Sequence, residues 1–234
     1  MHLSMAGKAP AAKRPLIGTL SEKGLHEDIK DYLMEPGDRL EMPLEGYVID
    51  IYRDGLLIEV QTGNFGAIRR KLSHLLGYYP VHLVHPIFIE KIIVREDARG
   101  RELSRKRSPK SGRPIDLFWE LVYIRDLAMH PNLTFEILMT REEEMRRQDP
   151  KRRKWNGWYV HDRRLVEVVE RIPLASQADF RRLLPGELPM PFTNRDLAGE
   201  LGCSERQAGA ITYTLRRMGV LREVGKRGRA LLYV

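Results

Sequence analysis

The chain has 234 residues, of which 42% are hydrophobic, a formal net charge of +8 and one cysteine. This is enough for one or two domains with a real core, and it excludes an internal disulfide and a cysteine-rich zinc site. The positive surplus points to nucleic acid first and an anionic membrane surface second, and a membrane-spanning run of about 18 apolar residues is absent.

With one cysteine, a reducing cytoplasm is the expected compartment. Residues 1–15, MHLSMAGKAPAAKRP, lack an apolar signal region and read as a flexible basic arm. Ser21 as an N-cap predicts a helix over 22–34, with Leu25, Ile29 and Leu33 as its buried stripe. RLEMPL (39–44) predicts a strand, and Pro43 puts it at an edge or near its end. Two apolar runs, Tyr47–Tyr52 and Leu56–Val60, flank Asp54-Gly55. Asp-Gly between such runs predicts a tight hairpin, because both turn positions need positive φ.

Gly63-Asn64 turns the chain into a helix over 65–77, with Phe65, Ile68, Leu72, Leu75 and Leu76 on its apolar face. Thr62 and Asn64 are its expected caps, and its free N–H groups are an alternative phosphate site. VHLVHPI then predicts a buried strand, with FIEKIIVRE as a second run. A strand, a helix and another strand imply a crossover and parallel pairing, hence a mixed sheet with helices on it.

Residues 97–113 are strongly basic and read either as a solvated linker or as a phosphate-contacting loop. A helix over 115–128 and a strand over 133–140 follow, and Glu142, Glu143 and Glu144 read as a solvated acidic run at a helix start. The next basic cluster holds Trp155 and Trp158, which either cover the domain edge or stack on bases. Residues 164–171 are left open between strand and helix.

Four prolines in 173–191 suggest a linker over 176–192, which divides an α/β domain over 16–175 from a module over 193–234. That module reads as a helix capped by Thr193, a tight turn at Gly202-Cys203, a helix capped by Ser204, and two short strands about a Gly- and Arg-rich tip. This order resembles a winged helix-turn-helix.

The chemistry centres on the hairpin. Asp50 and Glu59 sit at near-opposite positions of otherwise apolar strands, so they share a face and repel. A divalent cation between them removes that cost. Gln61 shares the Glu59 face, and Glu22 on the first helix is the third acid, with Glu27 as runner-up. Auxiliary candidates are Lys30, Lys71 and His26. His82 and His85 point to opposite faces of one strand and are not expected to form a metal site.

An acid on the first helix, Asp50, a hairpin and then Glu59-Val-Gln61, followed by a helix and a strand, resemble the PD-(D/E)XK nuclease superfamily, which includes restriction endonucleases and Holliday junction resolvases. The likeness covers about residues 20–90. It implies a mixed-sheet αβββαβ core, Mg2+ or Mn2+ held by Asp50, Glu59 and Glu22, and phosphodiester hydrolysis. Gln61 stands where the superfamily usually has lysine, and a neutral amide orients but cannot supply charge.

The implied function is a Mg2+-dependent DNA endonuclease on duplex or branched DNA. The alternative is a non-catalytic DNA-binding regulator with a degenerate nuclease fold; RNA is the weaker partner, a membrane is not expected, and duplex cleavage by one metal site calls for a homodimer. The residues expected to meet nucleic acid are Arg69, Arg70, Arg105, Lys106, Arg107, Lys110, Arg152, Arg153, Lys154, Arg206, Gln207, Lys226, Arg227 and Arg229.

Overall fold

The computed structural model describes residues 23–149 and 157–234. The N-terminal arm, Ser21, Glu22 and the cluster Arg152–Trp155 lie outside them. The chain is α/β with a mixed sheet, and it opens with α1 (Lys23–Leu33), β1 (Arg39–Leu44), β2 (Tyr47–Arg53), β3 (Leu56–Val60), α2 (Phe65–Leu75) and β4 (Val81–Glu96). The sheet order is β1-β2-β3-β4-β6-β7, where β6 is Leu133–Gln148 and β7 is Trp158–Leu174. β5 (Glu102–Arg107) pairs with β4 beside β3.

β1, β2 and β3 form an antiparallel meander, and β1 is an edge strand, where Pro43 is tolerated. Asp54 (φ 44°) and Gly55 (φ 91°) make the expected turn. The α2 crossover sets β4 parallel to β3, β6 is parallel to β4, and β7 returns antiparallel.

Successive strand residues serve opposite faces. Leu57, Leu83 and Phe135 face a core with Phe65, Leu72 and Leu75 of α2. Ile58, Val60, Val84 and Leu138 face a smaller core with Leu25, Ile29 and Leu33 of α1. The sheet is therefore covered on both sides, and α1 and α2 reach the acids from opposite faces.

Several expectations are corrected. The two runs after Pro80 are one 16-residue strand, β4. The basic stretch 97–113 is not a free linker, since its middle forms β5 paired with β4 between two short loops. The helix expected over 115–128 is a 3-10 turn (Pro114–Leu117) and one α-helical turn, α3 (Phe118–Leu121). Residues 164–171 lie within β7. Glu142 and Glu144 are buried in β6, where Glu144 holds Lys91 at 2.7 Å. A lysine inside the apolar run FIEKII was the overlooked signal, since a buried ammonium needs a buried partner.

The proline-rich stretch is not a free linker. It carries α4 (Gln177–Arg181), and Phe180 meets Phe135 edge-on at 5.7 Å. α5 (Asn194–Leu201), α6 (Glu205–Arg217), β8 (Glu223–Arg227) and β9 (Ala230–Tyr233) complete the C-terminal part, whose Leu197, Ile211 and Leu215 join the larger core. No described helix is long and apolar enough to cross a membrane.

Candidate functional site

The β2–β3 ladder pairs Arg53 with Leu56, Tyr52 with Leu57 and Ile51 with Ile58, and then ends. Asp50 and Glu59 are the next residues along each strand. Freed from cross-strand pairing, the Val60 N–H donates to Asp50 Oδ2 at 2.8 Å. The same oxygen lies 3.2 Å from His26 Nε2 on α1. The sequence positions thus bring both acids to the point where the strands part.

The two carboxylates differ. Burial pushes the Asp50 carboxyl up, but the His26 hydrogen bond and charge, with the Val60 N–H and Lys71, outweigh it and hold it below its usual value. His26 is raised in turn, chiefly by its bond to Asp50. Glu59 goes the other way: burial first, and the Asp50 charge second, push it up to about 7 despite Lys71. Its Oε1 is buried without a hydrogen-bond partner among the described residues. A divalent cation fits that donor set, because it would satisfy the orphaned oxygen and cancel the repulsion that raises Glu59. Asp50 and Glu59 are the residues that would hold it. Among the described residues, no three His, Cys, Asp or Glu side chains gather around one point.

Lys71 reaches in from α2, with Nζ 2.5 Å from Glu59 Oε2 and 2.5 Å from the Val48 carbonyl oxygen. Gln61 does not supply a cationic substitute, and its amide turns away to donate to the Gly63 carbonyl. Of the auxiliary residues, Lys71 and His26 join the acids. Glu27 and Lys30 do not: Lys30 is buried between Glu27 (2.8 Å) and Glu41 (3.0 Å). Glu22 lies outside the described residues.

The start of α2 is closed to phosphate. Asn64 is left-handed and makes no side-chain cap. A carboxylate replaces it, since the Phe65 N–H donates to Glu120 Oε2 at 2.9 Å.

The basic residues also divide. Arg105 is held by Glu102 and Glu143, Arg107 by Glu90, and Arg69 by Asp126 and the Tyr123 carbonyl. Gln207 completes the Ser204 capping box, and Arg227 leans on Asp196. The arginine charges are paired within the fold, which spacing could not reveal, whereas the Ser204–Gln207 cap is the one the spacing predicts. Arg70, Lys106, Lys110, Arg206, Lys226 and Arg229 are exposed. Arg152, Arg153 and Lys154 lie outside the described residues. Trp158 carries Arg95 over its ring at 4.8 Å, which favours the edge-covering reading for this tryptophan.

No solved structure matches the chain. An uncharacterized protein of Treponema pallidum (strain Nichols) is 32% identical over 219 residues, covering 93% of this chain and 86% of that one. The profile of a family described as "Domain of unknown function (DUF8091)" matches residues 23–175, from α1 through β7, and the chain belongs to that family.

Proposed function

We propose that this chain is a Mg2+- or Mn2+-dependent DNA endonuclease, with a restriction-endonuclease-like core over α1–β7 and a winged helix over α4–β9. The observation that carries this reading is the orphaned Glu59 Oε1 beside Asp50, where two strands part. A buried, mutually repelling acid pair is costly in a structural hairpin and useful around a cation. The mixed sheet with an antiparallel first meander and a parallel fourth strand supports the core assignment. The order α4, α5, α6 and β8–β9, with Phe192 bridged to Tyr233, supports the winged helix.

In this reading Asp50 and Glu59 hold the ion, and His26 fixes Asp50 in place. When bound, the ion would acidify a water and stabilise charge on the phosphodiester. Lys71 takes the role expected of a lysine at position 61: it sets the Glu59 carboxylate and places positive charge at the cleft. Arg206, Lys226 and Arg229 are exposed and would meet phosphates through the C-terminal part. A soluble cytoplasmic setting and pairing of two copies for duplex cleavage belong to the same proposal.

One observation favours a second reading, a DNA-binding protein without cleavage. The Lys71 ammonium already sits on Glu59, where it can stand in for a metal charge. Nicking of plasmid and branched DNA with Mg2+ or Mn2+ separates the two. The enzyme nicks, Asp50→Ala and Glu59→Ala abolish nicking, and both variants still bind DNA. Tight binding without nicking of either substrate selects the second reading, and undiminished nicking by Asp50→Ala removes the site assignment.

A further inference from the structure

One edge of β4 is shared by two partners that do not meet. β3 covers Val81–Val84, β5 begins only opposite Ile92, and β6 occupies the other edge throughout. The interval leaves a notch in the sheet. The loop before Pro114 seals its far side, with the Gly112 N–H on the Phe88 carbonyl at 2.8 Å and the Ser111 hydroxyl on the Ile89 carbonyl at 2.7 Å. A cavity of about 570 Å³ fills the notch, with Thr62 on its wall, three residues after Glu59.

The lining is built for a planar polar guest. His85 is 7% exposed, and its Nδ1 must donate to the Gln61 carbonyl at 2.6 Å, because a carbonyl only accepts. Burial lowers the His85 pKa and keeps the ring neutral, so Nε2 is left as an acceptor. Glu142 is 3% exposed, and among the described residues only the Thr140 hydroxyl bonds it. Arg163 Nε is buried without a hydrogen-bond partner among the described residues, its contact with Glu144 Oε2 being an ion pair at 3.7 Å. Trp119 offers a half-buried ring in the wall, and Lys110 stands exposed on the sealing loop. Asp116 and Glu120 also line the cavity but are committed to the N–H groups of Arg113 and Phe65.

An apolar ligand would leave the His85 Nε2 acceptor, the remaining Glu142 lone pairs and the Arg163 Nε–H without hydrogen bonds, and a small anion would face the Glu142 carboxylate. A heteroaromatic ring with its own donors and acceptors satisfies all three, while Trp119 stacks on its face. We propose that the notch holds one unstacked nucleobase of a DNA strand, with Lys110 at the phosphate and Trp119, His85 and Glu142 at the base. This deepens and rests on the DNA reading above, and it makes unpaired or distorted DNA the preferred substrate.

The test is equilibrium binding of the full chain to three 2-aminopurine probes: a duplex with the analogue opposite an abasic site, the fully paired duplex, and the free 2-aminopurine nucleotide. The expected result is at least tenfold tighter binding to the unpaired probe, with quenched fluorescence. Trp119→Leu and Glu142→Gln should each remove that preference and leave paired-duplex binding unchanged, and Trp119→Phe should restore most of it. Equal affinity for paired and unpaired duplex, or a preference untouched by either variant, overturns the proposal while leaving the DNA reading intact. Binding of the free nucleotide alone reassigns the notch to a soluble ligand and overturns the strand source. Failure to bind any duplex marks failure of the DNA reading itself.

Discussion

Lys71 Nζ lies 2.5 Å from Glu59 Oε2, although the two residues are on different elements and twelve positions apart. α2 is fixed over this face by Phe65, Leu72 and Leu75, all fully buried, so the ammonium is carried to the acid by core packing. This ion pair brings an ammonium group beside the acids, where Gln61 offers only a neutral amide.

Replacing Lys71 by methionine keeps the stem and removes the charge. Under the nuclease reading, nicking should fall by about 10²–10³-fold, the scale for loss of one preorganised charged donor. Duplex affinity should stay the same, since Lys71 is largely buried. The measurement is single-turnover cleavage against gel-shift affinity. Unaltered cleavage would remove Lys71 from the catalytic set.

Metal affinity has a separate readout. An ion that binds only the folded chain stabilises it by about 2.7 kcal/mol at a hundredfold excess over Kd. For a chain of this size that raises Tm by roughly 5–10 °C. The expected outcome is this shift with Mg2+ or Mn2+ in the wild type and its loss in Asp50→Asn. Calcium should give a shift without cleavage. A melt that ignores all three ions would argue against Asp50 and Glu59 as ligands.

Much of the path to this site was legible in the residues. Asp54-Gly55 set the hairpin, and counting outward put Asp50 and Glu59 level on neighbouring strands. The ladder ends before they pair, however, and α1 holds one acid while α2 holds the other. The αβββαβ order and the parallel crossover followed from apolar periodicity and breakers. What remained hidden depended on long-range pairing. Lys71 was one of two candidate cations until α2 was docked, and only the structure turned Lys30 toward Glu27 and Glu41 instead. Glu142 and Glu144 looked like a solvated run, because a buried acid is recognisable only once Lys91 is seen beside it. The long strands β4, β6 and β7 carry charges that a local period-2 test reads as loop or helix. Phe180 and Phe192 sat in a proline-rich stretch whose composition suggested a linker, whereas their rings are core.

α1 is seated by a close approach that only glycine allows. A Cβ at Gly24 would stand 2.5 Å from the Arg163 carbonyl oxygen and 2.3 Å from Asp162 Oδ1. The backbone oxygen cannot yield without moving β7, to which Asp28 also ties α1 through the Leu165 N–H at 2.8 Å. Gly24→Ala should therefore destabilise the fold by about 1–3 kcal/mol, the usual cost of overpacking. Under the nuclease reading it should also lower nicking, because His26 would be drawn off Asp50. Urea unfolding measures the first effect. A variant as stable as the wild type would show that α1 slides freely on β7.

Acid stability should depend on Glu136, which lies two strands across the sheet from Val60. Burial alone would raise its carboxyl, but His82 at 3.4 Å and Arg171 at 2.7 and 2.8 Å outweigh this and hold it at about 2, below its ordinary 4.5. A carboxyl depressed on folding contributes stability that is complete above its unfolded value and lost as pH falls through the folded one. The window is therefore pH 4.5 down to about 2. The shift sets an upper limit near 3 kcal/mol, and half-exposed Arg171 reduces the expected contribution to roughly 1–2 kcal/mol. Glu136→Gln should lower stability at pH 7 and flatten the acid limb between pH 4.5 and 2. Denaturant midpoints across that range check it, and a variant whose acid limb parallels the wild type would place the proton uptake on other carboxylates.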